Sequence, residues 1–410
     1  MLELASSIST GKHNNDPMHI FLMGLAYFDG IDVETDRERG LQLITEAAEM
    51  DLPAAMVKLS GLYENGIDTL PDYRKAAYWC ERLLAHHCKH SGEEAPITVT
   101  TMHALASMYD KLQEYYQAQL LTEKVYALSR KLYGDTDQRT RNALGDLAVL
   151  YAQRGNYAKA EELQKQAIKA MPTSDWTREM LTDIANLAGI YARQGHNEKA
   201  LALKRQVYEQ RSKLLGSDHV DTLNSLKNLS ASYKDLGDCD TALTLLREAY
   251  DRTCKLRGEA HPDTLRVMAG FVSIYVKQGN YAEALVVGEK LYKLCTAFWG
   301  EDHPASWEAL ANLATVYGKA GEFQKSLELL QRVYSALKHH LGEEHPNTLS
   351  ILNNLSYMYG EVGDYQQAIA LSKRAYALRN DKFDPLHSDT LDSLANLAYF
   401  HKQLGEYDRQ

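Results

Sequence analysis

A tyrosine recurs at a spacing of 42 residues in the second half of the chain, as Tyr233, Tyr275, Tyr317 and Tyr359. The residues around it recur as well, so that the segment TLNSLKNLSASY at 222–233 returns as TLSILNNLSYMY at 348–359. Four residues after each tyrosine stands a glycine, as Gly237, Gly279, Gly321 and Gly363. A repeat of this length is one supersecondary unit stacked on copies of itself. The period therefore predicts a solenoid.

Each repeat is predicted to be a pair of helices. One face of the first helix carries Leu223, Leu226 and Leu229, at the spacings of three and four residues that mark an amphipathic helix. Gly237 can end this helix because glycine takes the left-handed conformation at low cost. The second helix starts near a small residue, where the two helices must approach closely, and this residue recurs as Ala160, Ala200, Ala242, Ala284 and Ala368. We predict an all-α fold, a right-handed superhelical α-α solenoid of about nine or ten helical hairpins without a sheet.

The link between repeats has a signature of its own. A Leu-Gly or Trp-Gly pair closes the second helix, and a His-Pro step follows, as His261-Pro262, His303-Pro304 and His345-Pro346. Because proline is favoured in the first turn of a helix, we expect the next helix to begin there, capped by the neighbouring Asp, Asn or Thr. We interpret the histidines as loop-forming residues.

Eight repeats align on the tyrosine position, at Tyr109, Tyr151, Tyr191, Tyr233, Tyr275, Tyr317, Tyr359 and His401. Every step is 42 residues except the step of 40 from Tyr151 to Tyr191, where the linker 171–176 lacks both Leu-Gly and His-Pro. We expect a local irregularity there. The chain stops early in the second helix of the eighth unit, so that either its first helix is a cap or, as we expect, the chain is part of a longer protein.

The small-residue, tyrosine and glycine pattern resembles the tetratricopeptide repeat, and its 42-residue length resembles the kinesin-light-chain type of that repeat. The resemblance covers residues 96–410 as seven full units and a partial eighth. Upstream, MGLAYFDG at 23–30 returns 36 residues later as LSGLYENG at 59–66, which resembles two Sel-like repeats, also helical hairpins. We therefore predict two regions, 14–95 and 96–410, joined by a bend in one continuous solenoid.

Composition limits the partners and the compartment. A net charge of −10 and a pI of 5.9 argue against nucleic acid, which requires a basic surface. No apolar run approaches the ~18 residues of a membrane helix, and the first residues show no secretory signal. The five cysteines form no CxxC pair, which suits a reducing compartment. We predict a cytoplasmic protein without a nucleic-acid or membrane partner, and the oligomeric state stays open.

Residues that could carry chemistry are present but are not arranged for it. The histidines of the links lie one hairpin apart, roughly 10 Å, which is too far for one ion with ligands at ~2 Å. The compact group Cys80, His86, His87, Cys88 and His90 could bind zinc, but a solvated hairpin end explains it as well. No phosphate-binding loop, nucleophile elbow or HExxH motif occurs. We predict no enzyme activity, no catalytic residue, no metal and no cofactor.

The resemblance implies that the first helix of each hairpin lines a concave groove, with the position five residues before the tyrosine pointing into it. That position holds an asparagine in five repeats, namely Asn186, Asn228, Asn312, Asn354 and Asn396. In kinesin-light-chain arrays and in co-chaperones that clamp C-terminal carboxylates, the matching asparagine hydrogen-bonds the peptide main chain. A carboxamide suits this role because it offers a donor and an acceptor together. The alternative, that the asparagine bonds a neighbouring helix, stays open.

Other groove-facing positions carry basic residues, namely Arg193, Lys227, Lys234, Arg266, Lys277 and Lys319. Only Asp235 and Glu308 oppose them at these positions. Because clustered cations in a concave wall attract anions, we predict a peptide-binding groove that selects acidic or carboxylate-bearing segments. The alternative is a solvated face of mixed charge.

The leading hypothesis is a non-catalytic protein–protein interaction scaffold that binds an extended peptide or partner segment in its groove. The first alternative is the sensor or regulatory region of a larger protease, ATPase or kinase whose catalytic domain lies outside this chain. A second alternative is a closed array that senses a small peptide. The heptad coiled coil that joins a kinesin light chain to its motor is absent from the sequence, which favours an adaptor over a motor subunit.

Overall fold

The computed structural model describes residues 16–66, 71–171, 175–382 and 388–405. Within these ranges every regular element is an α-helix and no strand occurs, as predicted. In chain order the helices are α1 Pro17–Asp29, α2 Arg37–Glu49, α3 Pro53–Asn65, α4 Tyr73–Ser91, α5 Pro96–Lys111, α6 Tyr115–Tyr133, α7 Gln138–Gln153, α8 Tyr157–Lys169, α9 Arg178–Arg193, α10 Asn197–Leu215, α11 Val220–Asp235, α12 Cys239–Arg257, α13 Pro262–Lys277, α14 Tyr281–Trp299, α15 Pro304–Lys319, α16 Phe323–Leu341, α17 Pro346–Glu361, α18 Tyr365–Lys382 and α19 Ser388–Gln403. Odd-numbered helices are the first helices of the hairpins and even-numbered helices are the second.

The helices form two compact units, one through residue 150 and one from residue 151 onward. The sequence-based division at residues 95 and 96 is a different boundary and stays a prediction. In the first unit, α1 and α2 cross closely because each contributes a glycine at the contact: a Cβ on Gly40 would lie 2.6 Å from the backbone nitrogen of Phe28. Their core, with Met23 and Ile44 fully buried, is the apolar face that the 36-residue pattern indicated.

In the second unit the hairpins close at a buried small residue, which is the predicted alanine except in the repeat where Ser326 takes its place. Ala242 of α12 is fully buried against Leu226 of α11. The small side chain brings the helices close enough for the Ser230 hydroxyl to donate a hydrogen bond to the Ala242 carbonyl, at 2.7 Å. A serine and an alanine make the same bond in reverse order two repeats later, where Ser326 donates to the Ala314 carbonyl at 2.7 Å. The alanine therefore sets the distance between the helices of a hairpin.

In several repeats the recurring tyrosine joins its hairpin to the one before it. The hydroxyl of Tyr317 donates to Glu289 on the preceding second helix at 2.7 Å, and the hydroxyl of Tyr359 accepts from Gln331 at 2.9 Å. Tyr233 bonds Arg205 in the same way. In all three cases the partner is 28 residues earlier, so the ring packs between helices while its hydroxyl reaches a polar side chain. Each hairpin thus depends on its neighbour for both apolar burial and hydrogen bonding.

The links between repeats correct one sequence-based interpretation. The expected Asp, Asn or Thr cap is wrong, because the histidine itself is the N-cap. Its ring nitrogen Nδ1 accepts from the backbone N–H two residues later at 3.1–3.2 Å, in His219, His261, His303 and His345. The threonine or serine of the link instead donates back to the carbonyl of the preceding glycine at 2.7–2.9 Å, in Thr222, Thr264, Ser306 and Thr348.

The expected irregularity between Tyr151 and Tyr191 falls partly outside the described residues, since 172–174 are not described. Within the described part, the second helix α8 has 13 residues where α10, α12, α14 and α16 have 19. The junction that follows has a threonine cap, in which the Thr177 hydroxyl accepts from the Met180 N–H at 3.1 Å. The second helix expected for the eighth unit also lies outside the described residues.

Gly360 tests how tightly neighbouring first helices pack. A Cβ at this helical position in α17 would overlap the fully buried ring of Phe400 in α19. We expect Gly360→Ala to lower the free energy of unfolding by about 1–3 kcal/mol, because overpacking outweighs the gain in helix propensity. Gly189→Ala is the matched control, since that helical position in α9 has no atom within 4 Å and should be stabilised by up to about 1 kcal/mol. Urea unfolding of both variants distinguishes them, and equal effects would contradict this packing.

The histidine caps predict a pH dependence of stability. The Nδ1 of His303 accepts from the Ala305 N–H at 3.1 Å, and burial lowers the pKa of His303. The unfolded chain therefore binds a proton more readily than the folded chain, and the cap's contribution of about 1 kcal/mol is present above a pH of roughly 6.5 and is lost as the pH falls below it. His303→Asn keeps a capping side chain without a titrating group. Unfolding at about pH 8 and pH 5 should show a smaller loss of stability in that variant than in the wild type.

Candidate functional site

The surface formed by the first helices of the second unit is called the first-helix face, and it consists of the outward positions of α9, α11, α13, α15, α17 and α19. Consecutive first helices contact each other directly, as α11 with α13, α13 with α15 and α17 with α19. They do so in addition to packing on the second helices between them. First helices that approach this closely form the inner side of the local stack, which is where the sequence placed the groove.

The predicted asparagines fall into two groups on this face. Asn228, Asn312 and Asn354 are exposed, and in the described structure their carboxamides have no hydrogen-bond partner. Asn396 behaves differently, because its carboxamide donates to the side chain of Asn353 on the neighbouring first helix at 3.2 Å. Asn186 is half-buried in α9. The alternative role, bonding within the fold, thus applies to Asn396, while the three exposed carboxamides remain available to a ligand.

Two of the predicted basic residues, Lys227 and Arg266, lie near each other between α11 and α13. Arg266 pairs with Asp263, an acid that the count of groove positions did not include. Burial and the nearby Arg266 lower the pKa of Lys227, and Asp263 opposes them. Lys227 has neither an ion pair nor a hydrogen-bond partner in the described structure. The ammonium of Lys234, on the same pair of helices, donates to Ser273 at 3.0 Å and lies 3.5 Å from Asp235.

The other predicted basic residues do not belong to this group. Arg193 donates to the Ala152 carbonyl at 3.3 Å and so supports the fold. Lys277 and Lys319 are exposed at the ends of their first helices, where no ion pair forms with the described residues. The six basic residues therefore do not form one continuous basic patch. Contacts within the chain compensate part of their charge.

Sequence reasoning missed Lys204, a second-helix residue in α10. Burial lowers the pKa of Lys204, the nearby Lys234 lowers it further, and Asp235 opposes both effects. Lys204 thus lies close to Lys234, on the second helix that packs behind α11. Its position in a second helix carries no signal that relates it to the groove, so only the three-dimensional packing could reveal it.

Two buried arginines were also missed. Arg211 of α10 is 9% exposed, and its guanidinium donates to Ser225 at 2.9 Å and to Thr182 at 3.2 Å. Arg379 of α18 is 3% exposed and donates to Ser393 at 2.6 Å. Burial lowers the pKa of both groups. Each arginine bridges the first helices on either side of its own helix, so these cations hold the stack together rather than face a ligand.

The C-terminal part of the first-helix face is aromatic. Tyr357 and Tyr399, on the neighbouring helices α17 and α19, are 38% and 46% exposed. Burial and a hydrogen bond to Glu361 raise the pKa of Tyr357, so its hydroxyl stays protonated at neutral pH. Exposed tyrosines of this kind can pack against an apolar side chain and donate a hydrogen bond at the same time.

The possible zinc ligands are occupied with one another or with the fold. His86 stacks on His90 with ring centroids 4.1 Å apart, and His87 bonds Thr101 at 3.0 Å. Cys80 is buried, which raises its pKa to about 12 and keeps the thiol protonated. Among the described residues no group of three or more His, Cys, Asp or Glu side chains is arranged to hold a metal ion.

The geometry agrees with the comparisons to known families. The tetratricopeptide repeat profile matches residues 97–173, 179–255, 263–339, 305–381 and 347–409. The chain belongs to the tetratricopeptide repeat family. The Sel1 repeat profile matches residues 20–52 and 53–85, so the predicted resemblance is confirmed in both regions. No curated protein matches the chain.

Solved structures resemble the array as helical repeats. A kinesin-light-chain-type protein with nearly identical repeats, from Podosopora anserina, is 26% identical over 49% of this chain and 95% of its own, with a TM-score of 0.42. The Rap protein complexed with competence and sporulation factor is 13% identical over 87% of this chain and 98% of its own, with a TM-score of 0.49. Apo RapI is 13% identical over 69% of this chain and 97% of its own, at a TM-score of 0.50. The likeness to RapI shows the fold alone.

Tetratricopeptide repeat arrays are generally non-catalytic scaffolds for protein–protein interaction. None of the helices in the described residues combines the length and the apolar character needed to cross a bilayer.

The asparagines predict a difference in stability. Asn396→Ala should lower the free energy of unfolding by about 0.5–1.5 kcal/mol, because it removes the bond to Asn353 between two first helices of the tetratricopeptide repeats. Asn228→Ala should change it by no more than about 0.5 kcal/mol, since that exposed carboxamide has no partner in the described chain. Chemical denaturation measures both variants under one condition. A comparable loss in Asn228→Ala would mean that this asparagine supports the fold.

Proposed function

We propose that this tetratricopeptide repeat protein is a non-catalytic scaffold that binds an extended, acidic polypeptide segment along its first-helix face. One observation supports this proposal above all: two features occur together on that face. Exposed carboxamides without partners recur on α11, α15 and α17, and the unpaired, half-buried ammonium of Lys227 lies beside one of them, Asn228.

The carboxamides suit a main chain as ligand. An extended peptide has one donor and one acceptor per residue and lacks a sheet partner, so a side chain that offers both satisfies it. Asn228, Asn312 and Asn354 occupy the same position in their repeats. They are therefore related by the repeat itself, which favours a ligand that is also periodic, such as an extended chain.

The cations favour an acidic segment over a neutral one. Lys227 is held near Arg266 and away from bulk water, so its charged form is destabilised in the free protein. A carboxylate beside it would remove that cost, which makes the interaction worth more than an ordinary surface ion pair. Lys277 and Lys319, exposed on the next first helices, would extend the attraction along the ligand.

The proposal includes a reducing, cytoplasmic location. All five cysteines are free, and Cys80 and Cys295 are buried as thiols. It also retains the division of the chain into Sel-like repeats at 14–95 and tetratricopeptide repeats at 96–410.

A peptide-selection experiment tests the function. The full chain is immobilised and screened against a displayed library of random peptides, and the enriched peptides are titrated in solution. We expect enrichment of Asp and Glu. Replacing Asn228 and Asn312 by Ala should weaken binding by about tenfold or more, because each carboxamide contributes hydrogen bonds of roughly 0.5–1.5 kcal/mol. Adding Lys227→Glu and Lys277→Glu should weaken it further and flatten its dependence on salt.

The matched control carries the same change of charge on the second helices. Lys213 and Lys255 are exposed in α10 and α12, and their replacement by Glu should leave affinity for the selected peptides nearly unchanged. Circular dichroism of every variant establishes that the helices remain folded. Equal affinity of the four-site variant and the wild type would refute binding on the first-helix face.

A further inference from the structure

A cleft of about 580 Å³ opens on the opposite side of the same repeats, between the second helices α14 and α16 and above α15. Its floor contains Tyr292 and Trp307, and its rim carries Glu301, Glu328 and Arg332. None of these residues belongs to the first-helix face. The cleft is therefore a surface feature separate from the proposed peptide site.

The neighbouring repeats show what this position normally contains. One repeat earlier, Glu259 accepts from the Tyr250 hydroxyl at 2.7 Å and from the Lys290 ammonium at 2.6 Å. One repeat later, Glu343 accepts from the Tyr334 hydroxyl and from Arg374, both at 2.6 Å. In both repeats a tyrosine, a glutamate and a cation from the next second helix form a closed triad.

The same three residue types are present in the cleft, but the triad is open. Glu301, Tyr292 and Arg332 stand 42 residues from their counterparts in each direction. The Arg332 guanidinium lies 4.0 Å from Glu301, and the Glu301 side chain is 76% exposed. The Tyr292 hydroxyl has no hydrogen-bond partner in the described structure. Here the ion pair of the glutamate is longer than the 2.6 Å contacts of its counterparts, and the glutamate lacks the hydrogen bond from the tyrosine.

Side-chain volume explains why the cleft is open in this repeat. Ala336 lines it, where the repeats before and after have Leu294 and Leu378. Trp307, in the position of Leu265 and Leu349, supplies a wide aromatic floor. The smaller side chain at position 336 leaves room beside Tyr292 and above the ring of Trp307.

Trp307 gives the cleft an aromatic surface. It is 4% exposed and lines the cleft. Its ring also lies against the ring of His340, with centroids 4.9 Å apart.

The charge around the cleft is acidic. Glu301, Asp302 and Glu328 line it with three carboxylates, against the single cation of Arg332. At the position of Glu328 the flanking repeats have the uncharged residues Val286 and Ala370, so the excess of negative charge is particular to this repeat. The cleft therefore attracts cations, in contrast to the basic residues on the first-helix face.

We propose that this cleft binds a lysine or arginine side chain from a partner polypeptide. The aliphatic stem lies over Trp307 and Tyr292, and the cationic head completes the open triad at Glu301, as Lys290 and Arg374 do in the adjacent repeats. The protein then has two recognition surfaces of opposite charge preference, and this second one does not depend on the first.

Fluorine NMR of the full chain tests the proposal. The four tryptophans are labelled as 5-fluorotryptophan, and the Trp307 resonance is assigned with Trp307→Phe. The probe is acetyl-Gly-Arg-Gly-amide, and its neutral counterpart carries citrulline in place of arginine. We expect a saturable shift of the Trp307 resonance with the arginine peptide, at least about fivefold weaker binding of the citrulline peptide, and no shift of the distant Trp79.

Three variants separate the cleft from nonspecific attraction to an acidic protein. Ala336→Leu fills the cleft with the side chain that the flanking repeats carry there and should abolish the shift. Ala377→Leu adds the same side chain at an exposed position of α18 and should leave the shift unchanged. Glu301→Gln with Glu328→Gln removes the charge without adding volume and should weaken binding at least about fivefold. No shift in the wild type at about 10 mM arginine peptide, or equal shifts in Ala336→Leu and the wild type, would overturn the proposal.

Discussion

A single hairpin cannot bury its own apolar surface or complete its own hydrogen bonds, and the whole fold depends on this constraint. Ala242 lets two helices approach closely enough to bury their stripe, but the opposite face of each helix remains apolar until another hairpin covers it. The hydroxyl of Tyr317 then reaches back 28 residues to Glu289 on the previous second helix. The stability of the array therefore comes from contacts between adjacent hairpins. Each position in the repeat either contacts a neighbouring hairpin or stays open to a ligand.

That division explains which polar residues can act in recognition. Asn396 bonds Asn353, Arg193 bonds the Ala152 carbonyl, and Asp263 compensates most of the charge of Arg266. The exposed asparagines and Lys227 have no such partner in the described chain. A ligand on the first-helix face would thus meet groups that the stack itself has not used, and on the second-helix side the open triad at Glu301 is unused in the same sense.

The sequence predicted the helices and their pairing, because spacing and small residues determine these locally. It could not show that His303 caps its helix through a ring nitrogen, since histidine is an uncommon cap and the nearby Asp and Thr are common ones. Nor could it assign Asn396 and Asn228 to different roles, because both occupy the same position in the repeat. The cleft escaped prediction because its shape depends on Ala336 together with residues from two other helices.

The buried arginines restrict which repeats can be neighbours. Arg211 meets Ser225 on the following first helix, and Arg379 meets Ser393, at equivalent positions four repeats apart. In the repeat just before Arg379 the same pair of positions is apolar, as Leu337 and Ile351 show. Exchanging one of these repeats for another would leave a guanidinium facing a hydrocarbon side chain, which is strongly unfavourable. Units with the same 42-residue period are therefore not interchangeable at these two junctions, where an arginine on one repeat requires a serine on the next.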